Sequence, residues 1–121
     1  MQISKKRLKK EVEKEAYQIF YKLFADLSNP KEVKIFLHDF LTKIEATSLV
    51  KRLMVALNLE EGKSYDYIKE NLRVSSATIA NVDKMMNKNS GGFVLAFRKI
   101  KAEQWAENLT KKISEFFEKF C

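Results

Sequence analysis

Apolar residues recur at helical spacing along most of the chain, and a few local breaks divide these runs into segments. Val12, Ala16, Ile19, Phe20, Leu23 and Leu27 fall three or four apart and predict an amphipathic helix over residues 5–27. Ser28-Asn29-Pro30 closes it and opens the next. Asn29 suits the N-cap, and Pro30 the first helical position, where its missing N–H costs nothing. Val33, Phe36, Leu37, Phe40 and Leu41 then share one face. Thr42 followed by Glu45 reads as a capping box for a third helix. Its expected buried positions are Ile44, Leu49, Leu53, Ala56 and Leu57, and it stops at Gly62, a natural C′ residue.

Beyond Gly62 the predicted elements shorten. Ser64 caps a helix of about seven residues, residues 71–74 form a turn, and Ser75 caps a second helix reaching about Met86. Two short helices joined tightly, inside a chain of longer ones, are the mark of a helix-turn-helix, here residues 64–89. Ile68 and Leu72 face inward from the first helix, Val74 plugs the turn, and Ile79, Val82 and Met86 face inward from the second. At about 100° per residue, Ala77, Asn81, Lys84 and Lys88 line the opposite side of the second helix, flanked by Ser76 and Thr78. This face is small and polar at its start and basic toward its end. Such a pattern fits a recognition helix. Ala77 and the Thr78 methyl suit thymine methyls, Asn81 suits adenine, and Lys84 and Lys88 suit phosphate. The Ser75-capped N-terminus adds an anion site. A solvated surface helix would show a similar outward face. Arg73 stands where such turns usually carry Gly, so a positive φ there costs on the order of 1 kcal/mol.

Asn89-Ser90-Gly91-Gly92 is the strongest break in the chain, and a long helix or helix pair is expected from Phe93. Trp105, Leu109, Ile113, Phe116, Phe117 and Phe120 form a broad apolar stripe there, while Lys111, Lys112, Glu115, Glu118 and Lys119 mostly avoid it. A stripe of that size is expected to bury against the core or a second protomer. A membrane-surface helix is the alternative, against which the mixed signs of the polar face argue.

The chain of 121 residues is read as one all-α domain, with a basic arm at residues 1–12 and a helical extension at residues 93–121. One Pro and three Gly leave few places to break a helix. The 23 Lys and Arg exceed the 16 Asp and Glu, for a formal charge of +7, which favours a polyanionic partner. The arm with Lys5, Lys6, Arg7, Lys9 and Lys10 is either a frayed, solvated terminus or a phosphate-tracking segment. Cys121 is the single cysteine, in keeping with a reducing cytoplasm. No secretory signal is visible at the start, and no apolar run approaches the roughly 20 residues of a membrane span. Enzyme signatures are missing: one histidine (His38), no Cys/His cluster, no Gly-rich phosphate loop and no paired carboxylates. No cofactor is expected.

The stretches Phe36-Leu37-His38-Asp39-Phe40-Leu41-Thr42, Arg52-Leu53-Met54-Val55-Ala56, Glu61-Gly62-Lys63-Ser64-Tyr65, Ser75-Ser76-Ala77-Thr78-Ile79 and Gly91-Gly92-Phe93 resemble, in order and spacing, the trp-repressor superfamily, most closely its YerC/YecD branch. The resemblance spans about residues 16–100. It implies an intertwined all-helical homodimer, a transcriptional regulator that sets two helix-turn-helices on the half-sites of a palindromic operator in double-stranded DNA. It also implies an effector pocket, in which Thr42 and Arg52 match retained positions. Asn81 stands where that pocket has a second arginine, Val82 where it has a glycine, and Met85 where it has a serine. Val82 would fill the indole space and Asn81 brings no charge for a carboxylate, so tryptophan is not expected as corepressor. Any small-molecule effector is unidentified. Two other readings stand beside the regulator. One is a protein-interaction module using the Phe-rich C-terminal helix. The other is non-specific RNA binding through the arm, which few aromatics accompany.

Overall fold

The computed structural model describes residues 6–88 and 90–120, with the backbone alone at Ser90 and Phe120. Lys5, Asn89 and Cys121 therefore lie outside the described residues, as do the Ser90 and Phe120 side chains. The described residues form six helices and no strand: α1 (Lys10–Asp26), α2 (Pro30–Phe40), α3 (Lys43–Glu60), α4 (Tyr65–Leu72), α5 (Ser76–Lys88) and α6 (Ser90–Phe120). The all-α expectation holds, and local chemistry sets most of the boundaries.

The Asn29 side chain accepts from the Glu32 N–H at 3.0 Å, and Pro30 is the first helical residue, as expected. Thr42 and Glu45 form the expected reciprocal box: the Glu45 N–H donates to Thr42 Oγ1 at 3.1 Å and the Thr42 N–H to Glu45 Oε1 at 2.9 Å. The Thr42 N–H first, and its hydroxyl second, hold the exposed Glu45 carboxyl below the usual carboxylate range. Gly62 has φ 80° and completes a Schellman stop, with its N–H on the Leu59 carbonyl and the Lys63 N–H on the Asn58 carbonyl, both at 3.0 Å.

Two compact units divide the chain, one up to Thr47 and the other from Ser48. In the first, Phe20, Phe24, Phe36 and Phe40 form a ring cluster, with 4.9 Å between the Phe20 and Phe24 centroids and 4.9 Å between Phe36 and Phe40. Yet no residue of α1 or α2 is buried. Their apolar faces stay half-buried or exposed among the described residues. The core belongs to the second unit: Val55, Ala56 and Leu57 of α3, Ile68 of α4, Ile79 and Val82 of α5, and Phe97 of α6.

Four expectations are corrected. The N-terminal helix begins at Lys10, after an extended Lys9. Of the positions expected to be buried on α3, Ala56 and Leu57 are, whereas Ile44 is 83% exposed and Leu49 and Leu53 are exposed too. Asn71 lies inside α4, not in the turn, and its Nδ2 donates to the Tyr67 carbonyl at 2.8 Å. Gly91 and Gly92 stand in the first turn of α6, which is one helix of 31 residues starting three positions before Phe93. Each glycine costs such a helix about 1 kcal/mol relative to Ala. Burial of Phe97 and packing of Phe93 and Ile100 on the core offset that cost. In the distal half of α6, Trp105, Leu109, Ile113, Phe116 and Phe117 are all exposed, so of the two expected covers, the core or a second protomer, the core of the described residues is not the one.

Candidate nucleic-acid interface

The α4–α5 pair is held from inside by residues whose spacing places them there. Ile68 and Ile79 are fully buried, Val82 nearly so, and Leu72, Val74 and Met86 pack against them. All six inward positions expected from the sequence are therefore found inward. Ser64 caps α4, accepting from the Tyr67 N–H at 3.1 Å. Ser75 caps α5, accepting from the Thr78 N–H at 3.1 Å.

Arg73 ends α4 at φ 51°, ψ 56°, the left-handed conformation. The anticipated strain is real, and a contact unseen in the sequence pins it: Lys51 Nζ donates to the Arg73 carbonyl at 3.2 Å. An L-residue in this region costs about 1–2 kcal/mol, while glycine loses about 0.4–1 kcal/mol through its freer unfolded chain. Arg73→Gly is therefore expected to stabilise the protein by about 0.5–1 kcal/mol, read as a higher urea midpoint at unchanged m-value. A lower midpoint would mean that the Arg73 side chain does more for the fold than its backbone costs.

A second contact invisible in the sequence ties the two helices. Tyr65 Oη donates to Asp83 Oδ2 at 3.2 Å, and Asn87 Nδ2 donates to Asp83 Oδ1 at 3.1 Å. Burial, then the Asp83 hydrogen bond and charge, push the Tyr65 phenol above its usual value. The phenol therefore stays protonated at neutral pH, where it can donate to Asp83.

Ser75, Ser76, Ala77, Thr78, Asn81, Lys84 and Lys88 are all exposed. The Ser75 and Thr78 hydroxyls lie 3.0 Å apart and bond to each other. The Asn81 carboxamide and the Lys84 and Lys88 ammonium groups have no partner among the described residues, and no carboxylate neutralises either lysine. The Asn81, Lys84 and Lys88 groups are thus open to a ligand, whereas the Ser75 and Thr78 hydroxyls are engaged. Of the two pocket positions, Thr42 spends its hydroxyl oxygen on the α3 cap and Arg52 is exposed. Val82 is a core residue, and Met85 is exposed.

His38 is exposed beside Asp39, with 3.5 Å between Nδ1 and Oδ1. Among the described residues no group of three His, Cys, Asp or Glu could hold a metal ion. No helix there is long and apolar enough to cross a membrane.

A basic all-helical chain with a clamped helix pair and an unpartnered polar face on its second member has the architecture of a helix-turn-helix protein. The Trp repressor protein family matches residues 15–101, and the chain belongs to that family. It is also 34% identical over 88 residues to the uncharacterized protein YerC of Bacillus subtilis (strain 168), covering 73% of this chain and 84% of that protein. Family membership points to a helix-turn-helix DNA-binding regulator and to no enzyme class.

Proposed function

We propose that this protein is a homodimeric transcriptional regulator that reads a palindromic operator in the major groove with α5, without tryptophan as corepressor. The observation that carries this reading is the outward row of α5, whose Asn81, Lys84 and Lys88 have no partner among the described residues. Asn81 takes the adenine edge with its carboxamide, donating to N7 and accepting from N6. Thr78 has its hydroxyl engaged by Ser75, so its methyl is what it offers to a thymine methyl. Ser76 and Ala77 keep the first turn thin enough for close approach. Lys84 and Lys88 take phosphates, and the capped N-terminus takes another.

The uncovered aromatic face of α1 and α2, together with exposed Ile44 and Leu49 on α3, supports a dimer, because solvent-exposed patches of this kind are sites of association. A two-fold dimer calls for a two-fold operator. Packing of Val82 into the core, with a neutral Asn81 beside it, supports the absence of tryptophan. Thr42 and Arg52 are then remnants of the pocket, and the site of action is cytoplasmic DNA. The exposed aromatic stripe of α6 favours the second reading, a protein-interaction module.

Selection from a random duplex library at moderate salt separates these readings. The wild type is expected to enrich a palindrome, and Thr78→Ala/Asn81→Ala to lose it or relax it at the adenine positions. A bidentate contact is worth about 1–3 kcal/mol of discrimination, so roughly 5- to 150-fold per half-site is at stake. Weak, salt-sensitive binding shared by both proteins would reduce the wild type to a non-specific binder. No duplex binding by either would leave the interaction module.

A further inference from the structure

Family similarity stops at Lys101, but α6 continues to Phe120. Its two parts carry apolar faces on opposite sides. Phe93, Phe97 and Ile100 face the core of the second unit. At about 100° per residue these three fall within about 60° of one another. A second stripe starts at Leu95 and runs through Ala102, Ala106, Leu109, Ile113 and Phe116, all exposed. It is centred about 180° from the first face, so a core that holds one side of this continuous helix leaves the other uncovered.

From Ala102 onward the steps along this stripe alternate strictly between four and three residues, and the sequence keeps the rhythm at position 120. That is a heptad seam with a mean step of 3.5, which matches a second helix of the same kind rather than the surface of a globular core. Ile113 falls at an a position and Leu109 at a d position, the pairing that favours two parallel strands. Charge agrees with this orientation. In a parallel pair the flanking positions set Trp105 beside Thr110 and Lys112 beside Phe117, with no like charges opposed. The antiparallel register that matches a with d positions would set Lys112 against Lys112.

We propose that residues 102–120 pair with the same segment of a second copy of this chain as a short parallel two-stranded coiled coil. The proposal rests on the dimer reading above, because a seam of under three heptads gains from two helices already held together by another contact.

The test uses the full chain with Cys121→Ser, comparing Ile113→Cys with Lys111→Cys, which sits at the outward f position of the same turn. Mild oxidation is expected to give a disulfide-linked dimer with Ile113→Cys, at least ten-fold faster than with Lys111→Cys. Leu109→Glu added to Ile113→Cys should abolish the difference, while circular dichroism stays unchanged because both positions are exposed. Equal rates at the two positions would overturn the proposal. So would a crosslink that forms only when Ile113→Cys is mixed with Leu109→Cys, the antiparallel outcome. Light scattering and operator selection on the same samples separate this failure from that of the function. A dimer that enriches a palindrome without the selective crosslink loses the coiled coil alone. A selective crosslink without palindrome enrichment loses the operator reading alone. A monomer without a crosslink loses the coiled coil and the dimer together.

Discussion

Ile68→Ala is expected to cost about 2–5 kcal/mol, the range for truncating a fully buried large aliphatic side chain. Ile68 has no exposed surface, and it is the single buried residue that α4 contributes. Among the described residues, the core around it has seven buried residues from four helices. So small a core has few neighbours able to collapse into the cavity, which places the cost toward the upper end of the range. Total stability of a small domain is only about 5–15 kcal/mol, so one methyl-rich side chain decides a large share of it. At about 4–8 °C per kcal/mol for a unit this size, the thermal midpoint should fall by at least about 10 °C. Duplex binding should fall with it, although Ile68 lies on the inner side, because α4 and α5 lose the residue that fixes their angle. Asn81→Ala provides the control: an exposed side chain without a partner should leave the midpoint nearly unchanged. A small effect of Ile68→Ala on the midpoint would show that this core is not what holds the pair together.

The features legible in the sequence were those whose causes are local. Asn29, Thr42 with Glu45, Ser64 and Ser75 cap helices through bonds to groups three residues away, and such bonds are written in the spacing itself. Gly62 stops α3 for a reason internal to its own backbone. The inward set of the helix pair could likewise be read from periodicity, since two short helices with one apolar side each have one way to meet. Periodicity says which side is apolar but not what covers it. For that reason it puts Ile44, Leu49 and Leu53 inside, and among the described residues they are exposed. Gly91 and Gly92 misled in the other direction: their poor helix propensity marked a break, whereas packing of the Phe97 region carries the helix through both. Contacts between residues far apart in sequence left no trace in any local pattern. The Tyr65–Asp83 bond spans 18 residues, the Lys51 bond to the Arg73 carbonyl 22, and the Lys101–Glu60 ion pair, at 2.8 Å, 41.

The two bonds around the helix pair bear on how the interface works. Lys51 fixes a strained turn, and Asp83 fixes the start of α4 to the middle of α5, both through exposed polar groups. Exposed bonds of this kind add little to global stability, yet they restrict how α5 can tilt relative to α4. Positional precision of a recognition helix matters more than its depth of burial, because base-edge hydrogen bonds tolerate little displacement. The outward row is thus presented by a rigid pair, with apolar contacts behind it and polar ties at both ends.

Lys84→Gln/Lys88→Gln is expected to weaken duplex binding about equally for all sequences, in contrast to Asn81→Ala, which should act at particular base pairs. Neither ammonium has a carboxylate partner among the described residues, so each is available to displace a counterion from DNA. If each lysine contacts one phosphate, a dimer loses four contacts, and the slope of log K against log salt should become shallower by about 3.6 at roughly 0.9 per contact. At physiological salt the same four contacts are worth roughly three powers of ten in affinity, since each contributes about 0.9 times the logarithm of the dilution from 1 M. That is about 4 kcal/mol, larger than any single base contact on this face could supply. The fold should be untouched, as both side chains stand in solvent. Titrating a fixed duplex at several salt concentrations measures slope and affinity together. A double variant with the wild-type slope would place both lysines off the DNA and move the phosphate contacts to another basic surface. A slope change of half the expected size, with full specificity retained, would mean that one of the two lysines in each protomer carries the contact.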